Sequence, residues 1–229
     1  MAALILATRT AACAQPVTPA DALDRYLADQ GSGQTVCAEP IFAVQIDASL
    51  PALKKHGTMT GLRWIIQPGR IVYRGLRFTG DNLVKTQVIA RFLARETNPA
   101  EKTQDTGITP LNYSIRFDRV SDYNGLKAYV FQLRPRRKRV GLFRGELWLD
   151  TQTAAPLRLW GDLVKLPSIF VRSLRFVQDY QTIEGCTEPL RLLLTTRTLI
   201  AGTAEMTVWM RPAALEPDAL IAPPGPTVK

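Results

Sequence analysis

Residues 139–171, RVGLFRGELWLDTQTAAPLRLWGDLVKLPSIFV, carry the clearest structural pattern in the sequence. From Phe143 to Asp150 apolar and polar side chains alternate, which is the period of a half-buried β-strand. The same alternation returns from Leu157 to Leu163, and the polar segment before it ends in a proline, where a strand can begin but not continue. The stretch therefore predicts a β-hairpin with one leucine-rich face and one charged face that bears two tryptophans.

Similar patterns on both sides of this hairpin predict a largely antiparallel β protein. Strand-like segments are predicted at 41–50, 62–67, 70–78, 111–120, 127–133, 169–180, 190–200 and 203–210. Turn signals separate them at Pro68-Gly69, Asn124-Gly125, Glu184-Gly185 and Ala201-Gly202. The polar segment after residue 50, through His56 and Gly57, is predicted to be a loop.

Two segments have the period of an amphipathic helix. Thr18 and Pro19 are typical of an N-cap and a first helical residue, and this helix is predicted to close at Gly31. A second helix is predicted from about Asn82 to Glu96, because its apolar residues fall on one face. A polar loop, residues 98–109, follows it.

The chain of 229 residues, 46% of them hydrophobic, is long enough for one substantial core, and we predict one folded domain over residues 18–211. Residues 1–14 are short, apolar and rich in alanine, and Ala12-Cys13-Ala14 fits the cleavage motif of a secretory signal peptide. This pattern predicts export across a membrane. Cys13 also lies in a segment similar to a lipoprotein box, so lipid anchoring through Cys13 is a weaker alternative. The proline-rich residues 212–229 are predicted to form a disordered tail.

After removal of a signal peptide, the cysteines that remain are Cys37 and Cys186. An even pair in an exported protein is what one disulfide requires, so Cys37 and Cys186 are the disulfide candidate. The alternative is two separate buried thiols.

The net charge of +9 and the isoelectric point near 9.8 are accompanied by a concentrated basic run at residues 134–139. Because this run lies between two predicted strands, a solvated turn is the preferred interpretation. Contact with an anionic membrane surface is the next, and nucleic acid is the least favoured, since an exported protein seldom meets it. No nucleic-acid partner is predicted.

The motifs of common enzymes and metal sites are missing from the sequence. It has one histidine, His56, and no nucleophile elbow, zinc-binding motif or phosphate-binding glycine loop. We therefore predict no enzyme, no catalytic residue, no metal and no cofactor. A hydrolase that uses His56 is the weaker alternative.

An apolar ligand needs no such motif, because each buried methylene contributes about 0.8 kcal/mol. The candidate ligand-binding residues are the apolar residues predicted to line the inner face of the central strands. They are Phe143, Leu147, Leu149, Leu157, Leu159, Leu163, Phe170, Leu174 and Phe176. The alternative is that these side chains form the core beneath the two helices.

The order of these features, together with FRGELWLD at 143–150 and PLRL at 156–159, resembles the LolA/LolB-like family of outer-membrane lipoprotein-sorting proteins. The resemblance implies a mainly β fold with helices, in which an incomplete antiparallel β-barrel, a half-barrel, wraps one or two helices. It also implies a periplasmic monomer that binds an acyl lipid or lipoprotein in an apolar cavity, with the helix 82–96 across the open side. Since relatives include stress-sensing domains, the alternative is an envelope interaction or sensing module without bound lipid. No position matches the arginine that holds the lid of the family's carrier, so no functional residue is carried over.

Overall fold

The computed structural model describes residues 17–32, 41–67, 70–98, 106–166, 168–183 and 186–213. The predicted signal peptide, nearly all of the predicted tail, Cys13, Cys37 and the turns at 68–69 and 184–185 lie outside these residues. Ten strands are described: β1 (Ile41–Leu50), β2 (Lys55–Gln67), β3 (Arg70–Gly80), β4 (Tyr113–Tyr123), β5 (Leu126–Pro135), β6 (Phe143–Asp150), β7 (Pro156–Leu163), β8 (Val171–Ile183), β9 (Cys186–Thr198) and β10 (Thr203–Pro212).

All ten strands form one sheet in the order β3-β2-β1-β10-β9-β8-β7-β6-β5-β4, and every neighbouring pair is antiparallel. β3 and β4 are the two edges and do not pair with each other. The sheet is therefore open. This confirms the predicted fold class, a mainly β protein built on an incomplete antiparallel barrel.

Helices occupy the two regions where the sequence predicts them. α1 (Pro19–Ser32) begins after Thr18, whose Oγ1 accepts a hydrogen bond from the backbone N–H of Asp21 at 3.2 Å. The second helical region has three consecutive segments: α2 (Asn82–Val84), a π-helical segment (Lys85–Ile89) and α3 (Ala90–Thr97). We call the whole of Asn82–Thr97 the composite helix. Asp81 caps it, because its Oδ1 accepts from the N–H of Leu83 at 2.8 Å.

Both helices lie on the same face of the sheet. Residues directly opposite each other on paired strands point to the same face, so the strand register can be followed across the sheet. One such row is Leu147, Leu159, Gln178, Leu192, Val208, Ile46 and Met59. Leu147 belongs to the core that contains α1, and Ile46 belongs to the core that contains the composite helix. We call this the inner face and the opposite one the outer face.

The inner face carries two separate hydrophobic cores. In the first, Ala22 and Tyr26 of α1 pack with buried residues of β5 and β6 such as Phe131 and Leu147. The second core contains Val84, Ile89 and Leu93 of the composite helix. These pack with Ile46, Met59 and Val208 of β1, β2 and β10. Each helix thus covers the strands toward one of the two edge strands, α1 on the side of β4 and the composite helix on the side of β3.

Two predictions made around the strands are wrong. His56 lies in β2 rather than in a loop, because the connection after β1 is only a short 3-10 turn, Pro51–Leu53, and the segment beyond it pairs with β1. Phe170 lies in the turn before β8, which begins at Val171. By contrast, the Asn124-Gly125 turn is confirmed, with positive φ angles of 51° and 85°. Of the basic run, residues 136–139 lie in the connection between β5 and β6, whereas Arg134 and Pro135 are the last residues of β5.

Candidate functional site

The middle of the inner face, between the two cores, is apolar and only partly buried. We call this region the central strip and define it as Leu159, Leu174, Phe176, Gln178, Leu192 and Leu194 on β7, β8 and β9. Leu159 and Phe176 form the margin of the first core, whereas Leu192 and Leu194 form the margin of the second. All six side chains are half-buried. In the part of the chain that the structure describes, none of the buried residues that form either core lies on β7, β8 or β9.

The structure divides the predicted ligand-binding residues into three groups. Phe143, Leu147, Leu149 and Leu157 are buried, the first three within the core that α1 covers. Leu159, Leu163, Leu174 and Phe176 are half-buried in or beside the central strip. Phe170 is 54% exposed in its turn and does not lie on the inner face of a strand. The central strip thus contains three predicted residues, and Leu192 and Leu194 are additions that the sequence reasoning missed.

An aromatic pair marks the boundary between the first core and the central strip. The rings of Phe143 and Phe176 meet edge to face with their centroids 4.9 Å apart. Gly161 lies between them in the sheet, and a Cβ at Gly161 would be 2.3 Å from Phe143 Cδ2. The ring of Phe143 therefore requires glycine at position 161. This packing fixes Phe176 as one wall of the strip.

The central strip contains no charged side chain. Its one polar member, Gln178, donates from Nε2 to the backbone carbonyls of Asp179 at 2.8 Å and Arg191 at 3.1 Å. These carbonyls lie beside a β-bulge between β8 and β9, which leaves them free to accept. The amide of Gln178 is thus engaged by the protein itself, and the strip as a whole presents aliphatic and aromatic surface.

The composite helix is tied to the sheet by a polar contact that the sequence did not predict. Glu96 at its end accepts from Arg63 Nε at 3.4 Å and from the hydroxyl of Tyr73, so that β2 and β3 both hold it. Arg63 is only 9% exposed, and within the described residues its Nη1 is buried without a hydrogen-bond partner. Burial, reinforced by the neighbouring Glu96 carboxylate, raises the pKa of Tyr73. The three residues form a tether between the helix and the edge of the sheet.

The outer face carries a first buried carboxylate, Glu146 on β6. It accepts hydrogen bonds from Arg119, from Gln132 at 2.9 Å, and from the indole N–H groups of Trp148 at 2.9 Å and Trp160 at 3.1 Å. Burial acts to raise the pKa of Glu146, but these hydrogen bonds outweigh it and hold the pKa below its usual value. The two tryptophans of the charged face are thus explained as donors to Glu146.

A second buried carboxylate on the outer face is Asp179 on β8, which is 2% exposed. It accepts from Arg158 at 2.7 Å, from Arg191 at 2.6 and 3.0 Å, and from the hydroxyl of Tyr123 at 2.9 Å. Burial again acts to raise the pKa of Asp179, and the hydrogen bonds outweigh it, so the pKa lies below its ordinary value. Because all of the donors except Trp148 belong to strands other than that of the carboxylate, we assign Asp179 and Glu146 to holding β4 through β9 together.

Two depressions of the surface lie on the outer face. One of about 370 Å³ is lined by Gln45, Thr60, Trp209 and Arg211, and another of about 190 Å³ is lined by Arg116, Gln132 and Arg134. Both are open and rich in polar side chains, and neither coincides with the central strip. The inner cavity stays a prediction, and the surface that the structure describes at that place is the half-buried central strip.

His56 is the residue on which the weaker hydrolase alternative depends. None of the described hydrogen bonds involves the imidazole of His56, which is exposed on β2. The described ranges also contain no cluster of three or more histidine, cysteine, aspartate or glutamate side chains arranged to hold a metal ion. Among the same residues, no helix is long and apolar enough to cross a lipid bilayer.

Cys186, at the start of β9, is disulfide-bonded. The predicted partner, Cys37, lies outside the described residues, so the pairing of Cys37 with Cys186 stays a prediction.

Comparison with known proteins finds similarity at the level of solved structures. The sequence matches no family model, and no curated protein matches it. The chain is similar to a putative outer membrane lipoprotein-sorting protein domain from Vibrio parahaemolyticus, with a TM-score of 0.44 and 11% identity over 86% of this chain and 95% of that one. It is also similar to a DUF1329 family protein from Desulfovibrio piger, with a TM-score of 0.42 and 10% identity over 86% and 91% of the two chains.

A third similar structure is a LolA superfamily protein from Nitrosomonas europaea, with a TM-score of 0.33 and 14% identity over 80% of this chain and 90% of that one. The resemblance predicted from the central hairpin is thus matched by structural similarity to lipoprotein-sorting and LolA superfamily proteins. With identities of 10 to 14% and TM-scores of 0.33 to 0.44 the similarity is distant, and neither a ligand nor an activity follows from it.

Proposed function

We propose that this protein is a periplasmic, monomeric, non-enzymatic carrier that binds the acyl chain of a lipid or lipoprotein along the central strip. The observation that carries the proposal is the half-buried apolar surface of Leu159, Phe176, Leu192 and Leu194, which lies at the margins of the two buried cores. The signal-like residues 1–14 and the disulfide at Cys186 support an oxidising, exported location.

The chemistry of the strip favours an acyl chain over a polar ligand. Aliphatic and aromatic side chains dominate it, and the amide of Gln178 already donates to backbone carbonyls. Burial of about eight methylenes would contribute roughly 6 kcal/mol before the cost of ordering the chain. A chain of at least that length is therefore needed for measurable binding by this surface alone.

The composite helix is the element that we propose to move when the ligand enters. It borders the strip through the second core, and its last turn is tied to the sheet through Glu96, Arg63 and Tyr73. Release of this contact would leave Glu96, whose side chain is 26% exposed, close to water, but it would separate the 11% exposed Arg63 from its carboxylate. Ligand entry beneath the helix therefore requires Arg63 to turn toward water as the helix moves.

A second candidate function is an interaction or sensing module of the same fold without bound lipid. The observation that favours it is the first core, where Ala22 and Tyr26 of α1 fill the space above Phe143, Leu147 and Leu149. If the protein is such a module, its own side chains or a partner protein would cover the central strip in place of a lipid.

The test is displacement of a fluorescent fatty acid from the purified full chain, compared between Leu192→Asn and Leu193→Asn. The two leucines are adjacent on β9 and both half-buried, but Leu192 faces inward and Leu193 outward. We expect Leu192→Asn to weaken probe binding at least tenfold and Leu193→Asn to leave it within about twofold. Thermal melting of both variants controls for a general loss of structure.

Native mass spectrometry of the wild-type protein provides an independent readout. Co-purified acyl lipid that is lost in Leu192→Asn would support the carrier. No co-purified lipid and no probe uptake by the folded wild-type chain would contradict it and favour the sensing module.

A further inference from the structure

Four turns meet at one end of the sheet. β1 ends where β2 begins, β10 begins opposite the end of β9, β8 begins opposite Thr198, and β7 ends opposite the first residue of β6. In an antiparallel sheet these strand ends all lie on the same side of the sheet, along a line that crosses the strands. We call the turns at 51–54, 136–142, 164–170 and 199–202 the turn rim; residue 167 is not among those described.

Backbone contacts join these turns into a continuous surface. The N–H of Leu199 donates to the carbonyl of Phe170 at 2.9 Å, and the N–H of Val164 donates to the carbonyl of Leu142 at 3.0 Å. At the other end of this chain of contacts, Gly202 lies so close to the first turn that an added Cβ would be 3.3 Å from Ala52 Cβ. The rim therefore acts as one surface.

Large apolar side chains project from the rim. Ile169 is 85% exposed and Ile200 is 83% exposed, while Phe170 and Leu199 beside them are 54% and 50% exposed. Three large hydrophobic side chains are more than 80% exposed in the described parts of the chain. Two are Ile169 and Ile200, and the third, Leu111, precedes Asn112, whose carbonyl accepts from the first residue of the rim's second turn. Exposed apolar side chains concentrated in this way mark an interaction surface.

The same rim is strongly basic. Its exposed charged side chains are Lys54, Arg136, Arg137, Lys138, Arg139 and Lys165, and the sequence of the four turns contains no aspartate or glutamate. At the opposite end of the sheet, the described turns at 124–125 and 151–155 contain no charged residue at all. The apolar side chains and the excess positive charge thus occur together at one end.

We propose that the turn rim docks on the surface of an anionic phospholipid bilayer. The apolar side chains stand on the tips of separate turns among lysine and arginine, an arrangement that suits insertion between headgroups. Six basic residues without an acidic neighbour in the same turns complement the negative potential of such a surface. Docking depends on the rim and not on the central strip.

The experiment is co-sedimentation of the full chain with vesicles of phosphatidylcholine alone, or with phosphatidylglycerol added. We expect at least tenfold tighter binding to the anionic vesicles, weakened by 0.5 M salt because exposed charges are then screened. Replacement of Arg136, Arg137 and Lys138 by glutamine should remove most of this preference. A Phe170→Trp variant should show a blue-shifted emission on anionic vesicles if this turn enters the headgroup region.

A matched pair of variants tests the apolar contribution. Ile169→Ser with Ile200→Ser alters the rim, whereas Leu126→Ser with Ile183→Ser alters residues 48% and 44% exposed near the opposite end. We expect the first pair to weaken vesicle binding at least fivefold and the second to leave it within twofold. Melting temperatures within a few degrees of the wild type would exclude misfolding of either pair.

The outcomes separate this proposal from the acyl-binding function. Leu192→Asn should retain vesicle binding even if it loses the fatty-acid probe. Equal binding to neutral and anionic vesicles, or equal effects of the two serine pairs, would overturn the docking proposal. So would self-association through the rim, seen by sedimentation velocity without vesicle binding, because the rim would then serve a second copy of the chain.

Discussion

On the outer face of the sheet, two buried carboxylates each accept hydrogen bonds from several strands, whereas the middle of the inner face carries half-buried leucines between two cores. Both faces are built by the same strands, β6 to β9. The comparison shows that polar groups can hold these strands together from outside, so the inner face between the helices does not need to be fully packed. A partly covered apolar surface can thus exist in a stable fold.

The largest expected difference between the two faces is the free energy of unfolding that is lost when a side chain is truncated on each. Asp179→Ala would leave Arg158 and Arg191 side by side without their shared acid, and we expect a loss of about 3 kcal/mol in the free energy of unfolding. This is the low end for a broken buried ion pair, because the two arginines are 29% and 32% exposed and can turn toward water. Leu192→Ala on the inner face should cost only about 1 kcal/mol, since the side chain is half-buried.

Urea denaturation of both variants measures this difference. Equal losses, or a larger loss for Leu192→Ala, would show that the inner strip is a packed core, against both the comparison and the acyl-binding proposal.

A second difference between the two faces is how much each makes the stability of the fold depend on acidic pH. The pKa values of Asp179 and Glu146 lie below their usual values in the folded protein, so the folded state binds fewer protons than the unfolded one in that range. Their stabilisation is complete above the unfolded pKa values of about 4 and is lost as the pH falls toward the folded values. We expect stability to decline steeply below about pH 4.

The slope of stability against pH provides the measurement. Asp179→Asn removes one of these groups and should flatten the decline between about pH 4 and pH 2, whatever its effect on stability at neutral pH. Leu192→Ala, which removes no titrating group, should keep the wild-type slope. An unchanged slope in Asp179→Asn would assign the acid response to other groups.

The smallest expected effect on stability belongs to the tether of the composite helix. Glu96→Gln removes the charge beside Arg63 but retains an oxygen that can accept from both Arg63 and Tyr73, so the loss should be about 1 kcal/mol. We expect faster uptake of a fatty-acid probe in stopped-flow measurements, because the helix is held less tightly. The exposed Glu205 on β10 offers the control, Glu205→Gln, which should change neither quantity. Slower uptake in Glu96→Gln would argue against entry beneath this helix.

The alternation of side chains allowed much of the fold to be predicted. Leu147 and Leu149 lie inward while Glu146 and Trp148 lie outward, as the pattern around the hairpin indicates, and the composite helix begins where the apolar period begins. These features depend on neighbours within a few positions. Local sequence therefore determines them.

The candidate site was predicted only in part, because burial on the inner face depends on where distant helices lie. Leu147 and Leu159 have the same pattern and are paired, yet the core containing α1 buries the first completely and leaves the second at its margin. The contact between Arg63 and Glu96 joins residues 33 positions apart, and no periodicity connects them. A signal existed in Arg63 itself, a charge on the same side of β2 as the buried Met59.

Among the ten described strands, β1 and β10 form the one pairing between strands that do not follow each other in the chain. Val44 lies opposite Met210, so β1 can join the rest of the sheet only through β10, the last of the described strands. Until then β1–β3 and β4–β9 are two separate meanders, each made of consecutive hairpins that can form quickly. Closure of the seam between the two halves by β10 is therefore expected to be the last step of folding.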